Sequence, residues 1–240
     1  MKINSFRLSS IDYPRKMSVI LFTQGCNYKC PACHAKQILE GKDSIDEEKF
    51  FDYLDSKKGW IDGVVICGGE PTLQNDLIHF TRKIKEKGLA IKLDTNGSRF
   101  AILKELNDEK LIDYVAMDIK GPQGLYPNIV GKEFLDRRDD YEKAIGITSQ
   151  FPDYEFRTTV VPIVRDDGIS FMTPEEIGET ARLIYDCTGN NQHKYFLQKF
   201  VPQTDGLIDS RLEKFPKTSE EILEEGKKEA RIYLPNTEIR

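Results

Sequence analysis

Short runs of β-branched and aliphatic residues alternate with longer segments whose apolar positions recur every three or four residues, from Met17 almost to the end of the chain. Strand side chains alternate between two faces while a helix turns every 3.6 residues, so the pattern predicts a parallel sheet covered by helices. Six strands are predicted: Ser18 to Thr23, Gly63 to Cys67, Ala90 to Leu93, Tyr114 to Asp118, Glu155 to Val161 and Tyr195 to Val201. Between them, Ser44-Ile45-Asp46-Glu47 reads as a capping box ahead of Phe50, Phe51 and Leu54. Thr173-Pro174-Glu175-Glu176 supplies a cap, a proline at the first helical position and the reciprocal glutamate. A helix over Leu73 to Lys87 meets its stop at Gly88. Arg99 to Glu109, Glu133 to Ile147 and Ser219 to Arg231 complete the helical set.

Lys120 to Lys132, with Gly121, Pro122, Gly124, Pro127 and Gly131, is turn-rich and reads as a long loop after the fourth strand. No linker or low-complexity tract interrupts the rest, so residues 1–240 are expected to form one domain. The class is α/β. Six βα units are too few for a closed eight-stranded barrel; a partial barrel and a flat doubly wound sheet both fit the pattern.

Composition narrows the setting. The chain has 240 residues, 39% hydrophobic, with 31% charged residues of mixed sign and a net charge of −5. That is enough apolar material for a core, and it argues against nucleic-acid binding. The N-terminal Met1-Lys2-Ile3-Asn4-Ser5-Phe6-Arg7 lacks a signal-peptide apolar run, and no stretch is long enough to span a bilayer, so a cytoplasmic protein without membrane partners is expected.

The chemistry concentrates in Gly25-Cys26-Asn27-Tyr28-Lys29-Cys30-Pro31-Ala32-Cys33. Three thiolates on one loop suit a metal centre that keeps one coordination position open. A zinc knot completed by His34 is the alternative, though the adjacent side chains of Cys33 and His34 diverge. A disulfide framework is disfavoured by an odd total of five cysteines in a chain large enough to fold without staples. Cys67 and Cys187 have no cysteine near them in sequence and read as small buried or half-buried thiols. Each further motif lies at a strand's C-terminal end, where parallel α/β sheets build their sites: Cys67-Gly68-Gly69-Glu70-Pro71-Thr72, Asp94-Thr95-Asn96-Gly97 and Asp118-Ile119-Lys120. Ordinary turn chemistry accounts equally well for the last two taken alone. Arg157 and Lys199 interrupt apolar strands and either face solvent or point into a polar interior. His34, His79 and His193 are unconvincing as general bases, and no residue is assigned as a catalytic acid or base.

The cysteine spacing, within Phe22-Thr23-Gln24-Gly25-Cys26 through Cys33-His34, resembles the cluster loop of the radical S-adenosylmethionine (SAM) superfamily, and in particular its glycyl-radical-enzyme activases. The resemblance decides for a partial (βα)6 TIM-like barrel, a parallel sheet with outer helices. It implies one [4Fe-4S] cluster per chain on Cys26, Cys30 and Cys33, with SAM on the fourth iron. It also implies SAM contacts from Gly68, Gly69, Glu70, Asp94, Thr95, Asp118 and Lys120, and a monovalent cation held near the SAM carboxylate by the aspartates. Ala32 departs from the pattern, which usually has an aromatic residue beside the adenine there. Gln203 stands after Pro202 where some relatives carry a histidine. Ser10-Ile11-Asp12-Tyr13-Pro14, Thr23-Gln24-Gly25-Cys26 and Gly68-Gly69-Glu70-Pro71-Thr72-Leu73-Gln74 look most like the activating proteins of anaerobic ribonucleoside-triphosphate reductase, with pyruvate formate-lyase activase second. The implied partners are a glycyl radical enzyme and a one-electron donor such as flavodoxin or ferredoxin. A radical enzyme acting on a small molecule such as a deazapurine precursor, and a non-enzymatic electron carrier, are the other classes.

Overall fold

A computed structural model describes residues 1–40, 44–131, 138–202 and 206–240. In chain order its elements are β1 (Ile3–Ser9), β2 (Ser18–Thr23), α1 (Lys36–Glu40), α2 (Glu47–Ser56), β3 (Gly63–Gly68), α3 (Leu77–Glu86), β4 (Ala90–Thr95), α4 (Phe100–Asp108), β5 (Tyr114–Asp118) and α5 (Tyr126–Val130). There follow α6 (Arg138–Thr148), β6 (Tyr154–Val160), β7 (Pro162–Arg165), β8 (Gly168–Phe171), α7 (Pro174–Thr188), β9 (Tyr195–Lys199), α8 (Glu220–Arg231) and β10 (Thr237–Ile239).

Eight strands form one sheet in the order β1-β2-β3-β4-β5-β6-β9-β10, with only β1 antiparallel; β7 and β8 make a separate hairpin. Each parallel strand lies beside the next one in sequence within this sheet. A doubly wound sheet reverses its strand order at a switch point, and none occurs here. Winding in one direction with right-handed crossovers puts the helices on one face and leaves the other as the inside of a partial barrel.

Strand alternation divides the core accordingly. Val19, Leu21, Val64, Ile66, Ile91, Leu93, Val115 and Met117 pack with helical residues such as Phe50, Phe80, Leu103 and Ile177. The intervening Ile20, Val65, Cys67, Tyr114 and Ala116 gather with Tyr13 in a smaller cluster on the opposite face. That face also carries Lys92, Asp94, Asp118, Glu155 and Arg157, so the barrel interior is charged.

All six predicted strands are present, with ends shifted by two residues at most. Others were not predicted. β1 is an edge strand mixing Asn4, Ser5 and Arg7 with apolar residues, and β10 has three residues. The hairpin turns at Arg165–Gly168, where Gly168 has φ +145°.

Helix starts need correction in three places. The cap of α2 is Asp46, which accepts from the Glu48 N–H at 3.2 Å; Ile45 is instead paired with Ile3, which keeps Ser44 away from the helix. α3 begins at Leu77, not Leu73. A 3-10 turn over Pro71–Leu73 comes first, and Gln74 is extended, held by its side chain to the Gln24 carbonyl and the Lys2 N–H. The segment read as loop after the fourth strand contains a 3-10 turn (Gln123–Leu125) and α5, where Pro127 sits in the first turn and needs no intrahelical partner. The Thr173 capping box is complete. The expected start at Glu133 lies outside the described residues. Among those residues no helix is long and apolar enough to cross a membrane.

Candidate active site

β2 ends at Thr23 and the chain turns through Gly25, at φ +81°, into the cysteine loop. Backbone hydrogen bonds tie this loop down from several directions: Gln24 N–H to the Lys2 carbonyl (3.0 Å), Lys29 N–H to the Val130 carbonyl at the end of α5 (3.1 Å), and Asp209 N–H to the Pro31 carbonyl (3.0 Å). Cys26, Cys30 and Cys33 are all partly buried free thiols lining one cavity of about 380 Å³. Burial pushes the Cys26 thiol up to about 11 and the Cys30 thiol up to about 12, so both are protonated at neutral pH and metal binding must release their protons.

Among the described residues no three His, Cys, Asp or Glu side chains converge as ligands of one metal ion. The three thiols that line this cavity form a soft donor set of the kind iron–sulfur centres use. His34 stacks on Phe200, with ring centroids 5.7 Å apart, while still bordering the cavity.

The second turn is packed against the first. A Cβ on Gly69 would lie 1.8 Å from the Gly25 carbonyl oxygen, and one on Gly68, at φ +116°, 2.3 Å from Thr23 N. The glycine pair lines the cavity. In the structure it lets backbone approach the root of the cysteine loop, sealed by Gly69 N–H to Thr23 O (2.9 Å) and Glu70 N–H to Gly25 O (2.8 Å).

Glu70 is fully buried and its carboxylate is consumed internally. It accepts from Thr72 N–H (3.1 Å), the Thr72 hydroxyl, the Thr95 hydroxyl (2.7 Å) and Asn96 N–H (2.7 Å). Burial raises its carboxyl above the ordinary value even though these donors pull the other way. Glu70 thus clamps the Gly-Gly turn to the Asp94–Gly97 turn. Asn96 carries the connection onward, its amide donating to Asn27 Oδ1 (3.1 Å) and lying 3.7 Å from Cys26 Sγ. Asn96 was not among the predicted site residues.

The remaining wall is a chain of alternating charge across β4, β5 and β6. Lys92 pairs with Asp94 Oδ1, Arg157 reaches Asp94 Oδ2 (3.2 Å) and Asp118 Oδ1 (2.9 Å), and Lys120 holds Asp118 Oδ2 (2.8 Å). Burial alone would raise the Asp118 carboxyl, but Arg157 and Lys120 outweigh it and hold it well below the usual carboxylate range. Of the two cations that interrupt apolar strands, Arg157 therefore points inward, whereas Lys199 pairs with exposed Glu220.

Gly68, Gly69, Glu70, Asp94, Thr95, Asp118 and Lys120 all line the same cavity as the three cysteines. Cys67 lines it too; Cys187 lies in α7. A second cavity of about 220 Å³ adjoins Cys30, Cys33 and Lys120. There Ala32 packs against Phe200, which brings an aromatic ring from the end of β9 behind the small residue. His79 is exposed on α3, and His193 is buried between the Tyr154 and Thr188 hydroxyls at 2.8 Å each. Gln203 lies outside the described residues.

The sequence profile described as the radical SAM superfamily matches residues 20–184. A protein of Methanocaldococcus jannaschii named "Putative glycyl-radical enzyme activating enzyme" is 39% identical, the match covering 97% of this chain and 92% of that one. The pyruvate formate-lyase-activating enzyme of Streptococcus mutans is 35% identical over 46% of this chain and 47% of its own. The 7-carboxy-7-deazaguanine synthase of Thermoplasma acidophilum is 28% identical over 68% and 76% respectively. Among solved structures, Streptococcus suis SuiB superposes with a TM-score of 0.65 at 15% identity, covering 92% of this chain and 48% of SuiB. The likeness to SuiB is one of fold, and this chain spans about half its length.

Proposed function

The chain belongs to the radical SAM superfamily, and from that premise we propose that it is a glycyl-radical-enzyme activase whose partner is an anaerobic ribonucleotide reductase. The observation that carries the reading is the convergence of Cys26, Cys30 and Cys33 with the Gly68-Gly69-Glu70 turn and the Asp94 and Asp118 strand ends on one cavity. The relative from Methanocaldococcus jannaschii supports the activase class along nearly the whole chain. A sheet running from Ile3 to Ile239 supports treating residues 1–240 as one domain.

In this reading Cys26, Cys30 and Cys33 hold one [4Fe-4S] cluster and Gly68, Gly69, Asp94, Thr95, Asp118 and Lys120 surround SAM. When bound, the cluster and SAM would supply, with one electron from the donor protein, the reductive carbon–sulfur cleavage that makes hydrogen abstraction from the partner's glycine possible. The protein's part is positioning. Glu70 keeps the Gly-Gly turn, the Asp94–Gly97 turn and, through Asn96, the cysteine loop in fixed relation. Lys120 and Arg157 place positive charge where a carboxylate of the ligand would be received. A cytoplasmic setting and a flavodoxin or ferredoxin donor go with this reading.

The Thermoplasma acidophilum synthase supports a second reading, a radical enzyme acting on a small molecule. The Streptococcus mutans activase supports a pyruvate formate-lyase-type partner. The deciding experiment is anaerobic incubation of the reconstituted, reduced protein with SAM and the anaerobic ribonucleotide reductase of the same organism. Formation of 5′-deoxyadenosine together with a glycyl-radical doublet in electron paramagnetic resonance is expected. Turnover of a small molecule with no responsive protein would sink the activase reading; a doublet on another glycyl radical enzyme alone would overturn the partner.

A further inference from the structure

The resemblance that suggested a monovalent cation beside Asp94 and Asp118 meets a specific obstacle in this chain. All four oxygens of the two carboxylates are engaged by the chain's own cationic groups: Asp94 by Lys92 and Arg157, Asp118 by Arg157 and Lys120. A hard metal ion binds through oxygens, and here each carboxylate oxygen already faces a nitrogen donor. Charge reinforces the point. Lys92, Arg157 and Lys120 already balance Asp94 and Asp118, with the buried Glu155 carboxylate a third anion 4.0 Å from Arg157, so no metal ion is needed to neutralise this wall.

The register explains why an arginine can do this. Asp118 and Arg157 are direct partners across β5 and β6, while Asp94 is paired with Ala116, two positions below Asp118 and one strand further on. Arg157 therefore has one carboxylate beside it and one on the diagonal. Its planar fork spans both, with Nε and one terminal nitrogen on Asp118 and the other terminal nitrogen on Asp94. A lysine at this position would offer a single point of charge.

We infer that Arg157 is a built-in counter-ion: its guanidinium joins Asp94 to Asp118 in place of a monovalent metal ion, so that ligand binding in this cavity is independent of potassium and sodium. The inference rests on the reading of the cavity as a SAM site, and it replaces the cation that the resemblance implies with a side chain of this protein.

The test measures SAM affinity of the anaerobically reconstituted protein at fixed ionic strength in potassium, sodium or choline chloride. Wild-type affinity is expected to agree within about twofold across the three salts. Arg157→Gln is expected to lose at least about tenfold in choline and to regain at least about threefold in potassium or sodium, because removing the guanidinium frees two carboxylate oxygens for a metal ion. Arg157→Lys, which keeps the charge, should be weaker than wild type yet insensitive to the salt. A wild-type requirement for either alkali ion overturns the inference, as does an Arg157→Gln loss that no alkali ion relieves. Thermal unfolding of the cluster-free protein supplies the independent arm: alkali ions should raise the melting temperature of Arg157→Gln and leave wild type unchanged. If wild type binds no SAM in any salt, the reading of the cavity fails, and this melting comparison still decides the role of Arg157. Should Arg157→Gln not fold, the wild-type salt series and Arg157→Lys decide it.

Discussion

The two ends of the barrel interior both bury a glutamate, and they satisfy it in opposite ways. At the end carrying the strand C-termini, Glu70 is surrounded by neutral donors on two loops and fastens those loops together. At the other end Glu155 is 1% exposed and takes two hydrogen bonds from Arg240 (3.0 and 3.1 Å) and one from the Tyr114 hydroxyl (2.8 Å). Tyr13, from the Ser10–Pro14 motif, packs its ring against Tyr114 there, and Arg240 lies over the Phe196 ring. The floor joins elements into a plug; the ceiling positions groups around a cavity. The same residue type thus serves cohesion at one end and arrangement at the other, as expected for a barrel whose chemistry sits on the C-terminal face.

That contrast breaks most plainly at the cysteines. Replacing Cys26, Cys30 or Cys33 with Ala should abolish reconstitution of the cluster, while Cys67→Ala and Cys187→Ala retain it; iron and sulfide analysis of the five variants distinguishes them. A full cluster in the Cys30 variant would remove the site from this loop.

Gly69→Ala comes next. Its Cβ would lie 1.8 Å from backbone that cannot swing aside, so a loss of about 3 kcal/mol or more in chemical denaturation is expected, with cluster content falling as well. Wild-type stability in this variant would mean the two turns are not held at that spacing.

At the floor, Glu155→Ala should cost about 2 kcal/mol, since it leaves the Tyr114 hydroxyl unpaired and takes the partner from Arg240, which is half exposed and regains water, while Arg157, 4.0 Å away, keeps Asp94 and Asp118. SAM affinity should change less than about twofold. A larger effect on the ligand would erase the distinction between the two ends.

The smallest effect is in the pH dependence of stability. The folded Glu70 carboxyl lies above its unfolded value of about 4.3, so the folded state binds the extra proton and stability falls as pH rises from there through the folded value. The advantage of wild type over Glu70→Gln should shrink over that rise. Asp118 is shifted the other way, so its contribution is complete above its unfolded value of about 3.9 and is lost as pH falls toward the folded one. The advantage of wild type over Asp118→Asn should shrink on acidification. Denaturant titrations across pH measure both trends, and equal signs would contradict the two environments.

Legibility in the sequence followed the physics of each element. β2 through β6 and β9 bury apolar side chains between helices and barrel interior and so stand out as β-branched runs, whereas β1 borders the sheet and β10 is too short to show a period. The cysteine loop was legible because metal-ligand spacing is local. The charge chain was not assembled, although its signal was present: Lys92 and Asp94, Asp118 and Lys120, and Glu155 and Arg157 each stand two apart on or just beyond neighbouring strands. Such spacing puts both charges of a pair on one face, but which strands adjoin is a property of the sheet order. Asn96 and the clamp made by Glu70 were hidden for a related reason, since a turn motif does not disclose which other turn it touches.

The alternating charges of Lys92, Asp94, Arg157, Asp118 and Lys120 also limit how this lineage can drift. Loss of Arg157 takes one partner from two carboxylates at once, and loss of either aspartate takes one from Arg157 and, among the described residues, the only one from a lysine, so the five positions are expected to be inherited as a block. Descendants that replace Arg157 should be found only where an aspartate has also gone, or where life in a salt-rich interior lets dissolved ions stand in for the lost side chain.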